Sequence, residues 1–271
     1  MKKVFCITLI AILQGFCFAG NIADFNTTGY KKFYSGNEAI TWWSNLYNGL
    51  KLSEEEKKTI YSYTYGNFVV INNKLRSGDP LSSLSSEQKQ MVAILDKALS
   101  KTIIFEDTLT YRYEDLSFLS RLLGQDVVFS HIYKDGKFLD SAKSYLDPIK
   151  SKRYQDYGFM STTLIRNSVF QHRIVELAIK VPKYSLAMFV SIKGLAAFST
   201  QYELLFPRDR ILTIEDYKIS EDRKKISILV AMDGPCYLGK PCIMKKADNL
   251  RQPPKENKLN ISTKQEKSGQ N

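Results

Sequence analysis

The sequence GFMSTT, residues 158–163, is typical of a β-strand that ends in three hydroxyl-bearing side chains. Further strand-like runs lie around it, separated by clusters of Gly, Pro and Asp, at residues 102–105, 109–112, 174–179, 186–192, 202–206 and 225–232. Before Lys101 the apolar residues recur at helical spacing instead, in residues 38–50, 53–63, 68–76 and 86–99. Helices first and strands later predict an α+β fold, with an N-terminal helical lobe packed on a mostly antiparallel β-sandwich core.

The composition is that of a globular protein. The 271 residues are 44% hydrophobic and 25% charged, which excludes collagen-like, low-complexity and wholly disordered classes. A formal net charge of +11 favours an anionic partner without identifying it. We find no continuous basic stripe with interleaved aromatic residues, so nucleic-acid binding is not expected. The two histidines, His131 and His172, are far apart and outside any HExxH pattern, so no metal site is expected.

The first 19 residues have the pattern of a secretory signal peptide. Met1-Lys2-Lys3 is a positive start, an apolar run follows, and Cys17-Phe18-Ala19 offers small residues before a cut. The apolar run is short for a spanning helix, although an uncleaved anchor or a lipidated Cys17 are alternatives. We therefore expect a secreted protein without a stable membrane anchor. Loss of Lys2 and Lys3 would leave a formal charge of +9.

The mature chain is predicted to contain a single domain over residues 20–247. From residue 248 the sequence becomes polar, which predicts a disordered tail over residues 248–271. Removal of the signal peptide leaves two cysteines, Cys236 and Cys242. In an exported protein they could form one disulfide; the alternative is a pair of free thiols.

Three local clusters carry candidate chemistry. Arg112 ends one strand-like run, Ser161-Thr162-Thr163 ends another, and Gln201 and Glu203 begin a third. In a strand, residues two apart face the same side, so Gln201 and Glu203 would together form a polar site. Each cluster alone is also compatible with an ordinary exposed strand.

Taken together, the clusters carry a family resemblance. Their order resembles bacterial mono-ADP-ribosyltransferase toxins of the Arg–Ser-Thr-Ser–Gln-x-Glu class, especially the small exoenzymes that modify Rho-type GTPases. The similarity covers roughly residues 38–232. Its motifs are the segment Ile71–Arg76, the strand Gly158–Thr163, the loop Phe170–Arg173 and the turn Phe198–Pro207. The chain departs from the family at Thr163, where Ser is usual, and a hydroxyl is kept there.

The resemblance implies NAD as co-substrate and assigns a role to each motif residue. Glu203 would stabilise the positive charge that grows on the ribose, and Ser161 would hold Glu203 in position. Arginine side chains would clamp the pyrophosphate, because a planar guanidinium forms paired hydrogen bonds with phosphate oxygens. The NAD-binding set is Arg112, Arg173, Arg76, Phe170 and Thr162, with Phe170 either stacking on nicotinamide or bracing its loop.

The resemblance also implies the acceptor. A Gln two residues before the catalytic Glu goes with amide acceptors, so Gln201 predicts transfer to an Asn of a Rho-type GTPase, a host protein. Phe198 would be an exposed anchor that recognises this protein. Two alternatives stay open: an NAD glycohydrolase or a transferase with another acceptor, and a non-catalytic exported basic binding protein.

Overall fold

The computed structural model describes residues 24–77, 81–124, 129–166 and 169–234. The predicted signal peptide, Cys236, Cys242 and the predicted tail lie outside these ranges. In the part of the chain that is described, no helix is both long and apolar enough to cross a membrane.

Within the described residues, four α-helices precede residue 100, as predicted. Ser53 and Ser85 cap the second and fourth helices. Each serine hydroxyl accepts a hydrogen bond from the backbone N–H of the third helical residue, and the side chain of that residue accepts one from the serine N–H. A π-helical turn, Tyr63–Asn67, connects the helices predicted over residues 53–63 and 68–76, and the backbone leaves helical dihedral angles at Gly66. The helices are α1 Gly36–Leu46, α2 Glu54–Ser62, α3 Phe68–Arg76, α4 Ser86–Leu99, α5 Leu116–Leu123 and α6 Ala142–Leu146.

The strands of the second half form a mixed, mostly antiparallel sheet with the order β4-β9-β10-β6-β1-β5-β8-β7. Only the β10–β6 pair is parallel among these neighbours. The strands are β1 Thr108–Glu114, β4 Arg153–Asp156, β5 Met160–Thr163, β6 Val175–Val181, β7 Met188–Phe189, β8 Glu203–Phe206, β9 Arg210–Ile219 and β10 Ile226–Met232, and β2 Tyr133–Lys134 pairs with β3 Lys137–Phe138 in a separate hairpin. The α+β class is confirmed.

The two halves of the sheet meet where β1 lies beside β5. These two strands are paired at one position, Tyr111 with Thr163, whereas β1 and β6 pair along their whole length. A large core cluster includes side chains from α1 through β10. A smaller apolar cluster, which includes Phe25 and Tyr113, lies apart from it. The β1–β5 junction therefore places residues of both halves beside each other.

Several local predictions were wrong. Residues 102–105 form one isolated bridge, Ile103 with Leu186, and no strand; Ile104 is buried, whereas Phe105 is 49% exposed. The strand predicted over 186–192 is reduced to Met188–Phe189. Strand β8 begins at Glu203, because Tyr202 is in the left-handed region and ends a 3-10 turn at residues 199–201. Gln201 is therefore not on a strand, and strand alternation does not relate it to Glu203.

Candidate active site

Glu203 is a buried carboxylate at the first position of β8. Its backbone N–H donates to the Ser191 hydroxyl at 2.7 Å, and its carbonyl accepts from Val190 N at 3.0 Å. The side chain is 7% exposed. Burial raises the pKa of Glu203, while a hydrogen bond from Ser161 and the charge of Arg112 act in the opposite direction. Glu203 is thus held in a site where a nearby positive charge would stabilise its ionised form.

Ser161 contacts Glu203 because of the β5–β8 register. Thr163 pairs with Glu203, and Ser161 is two residues away on the same face of β5. The two side chains are therefore diagonal neighbours across the ladder. Thr162 faces the other side, where it is buried and its hydroxyl donates to the Leu204 carbonyl at 2.9 Å. That position favours bracing of the sheet over the NAD contact that the resemblance implies.

Arg112 joins β1 to this pair of strands. Its Nη1 donates to the Ser161 carbonyl at 3.1 Å, and its Nε donates to Glu114 at 2.5 Å. A second carboxylate, Asp156, lies 3.8 Å from Nη1. The negative charges of Glu114 and Asp156 raise the pKa of Arg112 against the effect of burial. The guanidinium is therefore fixed in orientation and stays charged.

Arg76, at the end of α3, is fixed by the same carboxylate. Its Nε and Nη2 donate to the two oxygens of Asp156 at 2.7 and 3.0 Å, and Nη2 also donates to the Phe159 carbonyl at 3.2 Å. Asp156 is almost fully buried and accepts a further bond from Gly158 N at 3.0 Å. One buried carboxylate thus positions two of the predicted arginines.

Asn72 attaches α3 to the segment that leads into β5. Its Oδ1 accepts from Phe159 N at 3.0 Å, and its Nδ2 donates to the Phe159 carbonyl at 3.2 Å and to the Tyr63 hydroxyl at 2.9 Å. Burial and the negative charge of Glu203 raise the pKa of Tyr63. The π-helical turn, α3 and β5 therefore enclose Glu203 from one side.

The loop before β6 supplies the third predicted arginine. Arg173 is exposed, its Nη1 donates to the Tyr113 carbonyl at 2.9 Å, and its guanidinium lies 5.4 Å from the Phe170 ring centroid. Phe170 packs against the smaller apolar cluster, which contains Tyr111 and Tyr113 and so faces away from Arg112. This packing favours the bracing role for Phe170 over stacking on nicotinamide.

The turn before β8 carries the two predicted recognition residues. Gln201 is half-buried and its backbone N–H donates to the Phe198 carbonyl at 3.3 Å. Phe198 is 47% exposed. The preceding residue, Ala197, donates its N–H to the Thr64 hydroxyl at 3.0 Å. The turn is thus anchored to the π-helical segment beside Glu203.

Sequence reasoning missed Asp156, Asn72 and Tyr63. Asp156 lies two residues before Gly158, and a single carboxylate in such a position gives no signal of its own. Asp156 and Asn72 act through contacts between residues 80 or more positions apart, such as Arg76 with Asp156 and Asn72 with Phe159. Across the described ranges, no group of three or more His, Cys, Asp or Glu side chains could bind a metal ion.

The residues gathered here fit NAD as a ligand. Arg112 and Arg173 present guanidinium groups to one end of β1, which suits a pyrophosphate, and Glu203 with Ser161 offers a carboxylate and a hydroxyl to a ribose. A fixed carboxylate can stabilise the positive charge that grows on a sugar when a glycosidic bond breaks.

Comparisons with known proteins agree with this geometry. The family model described as ADP-ribosyltransferase exoenzyme matches residues 36–233. A Mono-ADP-ribosyltransferase C3 from Clostridium botulinum D phage is 30% identical over 76% of this chain and 80% of its own length. The Epidermal cell differentiation inhibitor of Staphylococcus aureus is 29% identical over 73% of this chain and 82% of its length.

Solved structures give the same result. The crystal structure of C3stau2 from S. aureus with NAD superposes with a TM-score of 0.69 at 28% identity, covering 76% of this chain and 99% of that one. The C3 exoenzyme of Clostridium limosum gives 0.67 at 28% identity, with 76% and 98% covered. The chain belongs to the ADP-ribosyltransferase exoenzyme family, and it is a mono-ADP-ribosyltransferase that uses NAD as its co-substrate.

Proposed function

We propose that this chain is an exported enzyme that transfers ADP-ribose from NAD to an Asn side chain of a Rho-type small GTPase. The observation that supports it most is the buried Glu203, hydrogen-bonded to Ser161 beside Arg112 and preceded by Gln201 in an anchored turn. The Rho-type acceptor rests on the resemblance of this turn to the small Rho-modifying exoenzymes. Export rests on the signal-peptide pattern of residues 1–19.

Glu203 is proposed to act on the nicotinamide–ribose bond. Breakage of this bond releases nicotinamide and leaves positive charge on the ribose ring, as in glycoside chemistry. An ionised carboxylate already in place stabilises that charge in the transition state without reorganising. Ser161 keeps the carboxylate in position and lowers its pKa, so that more of it is ionised. Ser161 is therefore a positioning residue as well as a ribose contact.

The arginines are proposed to hold the pyrophosphate. Arg112 and Arg173 both reach the same end of β1, and Arg173 is the more exposed of the two. Arg76 contributes mainly through its paired hydrogen bonds with Asp156, which hold α3 against the end of β4, just before β5. Thr162 and Phe170 support this site by bracing β5 and the loop before β6.

Gln201 is proposed to select the acceptor. An amide can donate to and accept from an Asn side chain, whereas a carboxylate would attract a guanidinium. Phe198, on the same turn, is exposed and anchors the protein substrate. The catalytic domain is proposed to comprise residues 20–247, of which residues 36–233 match the family model.

The test uses labelled NAD with purified GDP-loaded Rho-type GTPase, and in parallel with a host-cell lysate. We expect the wild-type chain to label the GTPase, Glu203→Gln to lose both labelling and nicotinamide release, and Gln201→Glu to lose labelling alone. Nicotinamide release by the wild type without any labelled protein would favour the glycohydrolase. Labelling of a lysate protein other than the GTPase would refute the proposed acceptor.

A further inference from the structure

An exposed apolar surface lies on the helical side of the active site. We call it the aromatic patch and define it as Tyr61, Tyr65, Phe68, Val69 and Val70. Tyr65 is 70% exposed, and the other four are between 42% and 48% exposed. Five large apolar side chains within ten residues are more than the scattered exposed residues of an ordinary surface, and such clusters mark binding sites.

The patch cannot be explained as part of the core. The buried residues of α3 are Ile71, Asn72 and Leu75, which face the interior. Phe68, Val69 and Val70 are consecutive, and at 3.6 residues per turn they cover about 200° of the helix surface. A helix buried on one face cannot bury all three. Their apolar character therefore needs a reason outside the fold of the isolated chain.

The patch is ordered by ring contacts. Tyr61 and Tyr65 stack with ring centroids 6.3 Å apart and planes only 8° from parallel. Phe68 packs edge-on against the buried ring of Tyr63 at 6.3 Å. Rings held in this way lose little freedom on binding, which is the property of residues that contribute most to interfaces.

The patch lies close to the carboxylate of Glu203. Tyr63, which lies between Tyr61 and Tyr65 in the chain, is close enough to Glu203 for the charge of Glu203 to raise its pKa. The hydrogen bond from Ala197 to Thr64, 3.0 Å long, joins the two residues that precede Phe198 and Tyr65. Since consecutive Cα atoms are about 3.8 Å apart, the Cα atoms of Tyr65 and Phe198 lie within about 15 Å of each other.

That distance is small compared with a protein interface. A specific interface covers about 800 Å² on each partner, which is a patch roughly 30 Å across. A protein whose acceptor side chain reaches Glu203 past the turn of Phe198 therefore has an interface wide enough to include Tyr65. We propose that the aromatic patch binds the protein substrate, the Rho-type GTPase, through an apolar area of that protein. This inference rests on the proposed function.

The experiment compares Tyr65→Ser and Phe68→Ser with the wild-type chain. The control is Tyr184→Asn, since Tyr184 is similarly exposed at 46%. It follows the last residue of β6, Val181, which pairs with Thr108 at the end of β1, four residues from Arg112. Labelling of purified GDP-loaded Rho-type GTPase gives the KM for the protein. Nicotinamide release without acceptor shows whether the fold and the NAD site are intact.

We expect each patch variant to raise the KM for the GTPase about tenfold, as loss of an interface anchor does. Nicotinamide release should stay within twofold, and Tyr184→Asn should change neither value. If the wild type labels the GTPase and both patch variants keep its KM, the patch does not bind the protein substrate, while the proposed acceptor is still supported. Absence of wild-type labelling would overturn both. Dimerisation of the free chain that the patch variants abolish, seen by sedimentation, would assign the patch to a second copy instead.

Discussion

Arg76 at the end of α3 and Asp156 at the end of β4 are joined by two hydrogen bonds, of 2.7 and 3.0 Å, although they are 80 positions apart in the chain. The same carboxylate lies 3.8 Å from Arg112. Because the helical lobe and the sheet share this buried charge, the position of α3 relative to β5 depends on it. The active site is therefore built as much by Asp156 as by the motif residues.

Asp156→Asn should loosen this junction. Breaking a buried ion pair by removing one partner costs about 3–5 kcal/mol, because the remaining charges lose their partner. We expect a lower free energy of unfolding in urea and a KM for NAD raised about tenfold, with a smaller change in kcat. The matched control is Asp216→Asn, whose pair with Lys150 is 42% exposed on both sides, so that solvent screening should make its loss much less costly. Equal effects of the two substitutions would contradict the role of Asp156.

Glu203→Gln should increase the stability of the chain and decrease its activity. Burial raises the pKa of Glu203, so the folded chain binds this proton more tightly than the unfolded chain. That contribution to stability is present at low pH and is lost as the pH rises through the folded pKa. The Gln variant should therefore melt higher than the wild type at neutral pH, by roughly 2–4 °C for each kcal/mol gained, and the difference should shrink at pH 4.

The same variant should lose transfer by at least about a hundredfold, since the carboxylate is proposed to act mainly in the transition state. Thermal melting between pH 4 and 8 and nicotinamide release at pH 7 measure the two effects. A variant that is less stable than the wild type at neutral pH would show that burial of the charge is fully compensated.

Ser161→Ala should change the pH dependence of the reaction. The Ser161 hydroxyl lowers the pKa of Glu203, so its removal should raise that pKa further. If the ionised form is active, the acidic limb of the rate profile should move to higher pH. Nicotinamide release without acceptor is the measurement, since it does not depend on protein docking. Ser161→Thr keeps the hydroxyl and should retain the wild-type limb; an unshifted limb in the Ala variant would contradict this account.

Gly158→Ala should disturb the junction of α3 with β5. A Cβ at this position would lie 2.8 Å from Asn72 Oδ1 and 3.1 Å from Arg76 Nε, closer than side chains normally approach. We expect a loss of stability of about 1–3 kcal/mol and weaker NAD binding, measured by urea unfolding and calorimetry. Gly66→Ala has open space around the new methyl group and serves as the control. Similar unfolding curves for both variants would show that the junction adapts.

Much of the site could be predicted from local sequence. The hydroxyl strand ending at Thr163 and the carboxylate at Glu203 are within single strands, and their side-chain directions follow from strand alternation. The strand β9, Arg210–Ile219, was missed because it mixes apolar with charged residues along its length. Helix α5 was missed as well; its amphipathic pattern is only eight residues long.

By itself, the sequence identified the candidate side chains for the chemistry, because residue identity and local periodicity specify what a strand or helix presents. It predicted Arg112, Ser161 and Glu203, but it wrongly extended the strand back to Gln201. The tertiary structure alone decided which of these side chains meet. Asp156 holds Arg76 and Arg112, Asn72 fixes α3, and Ala197 ties the Phe198 turn to Thr64. These contacts join residues far apart in the chain, and local sequence patterns do not predict which distant residues come into contact when the chain folds.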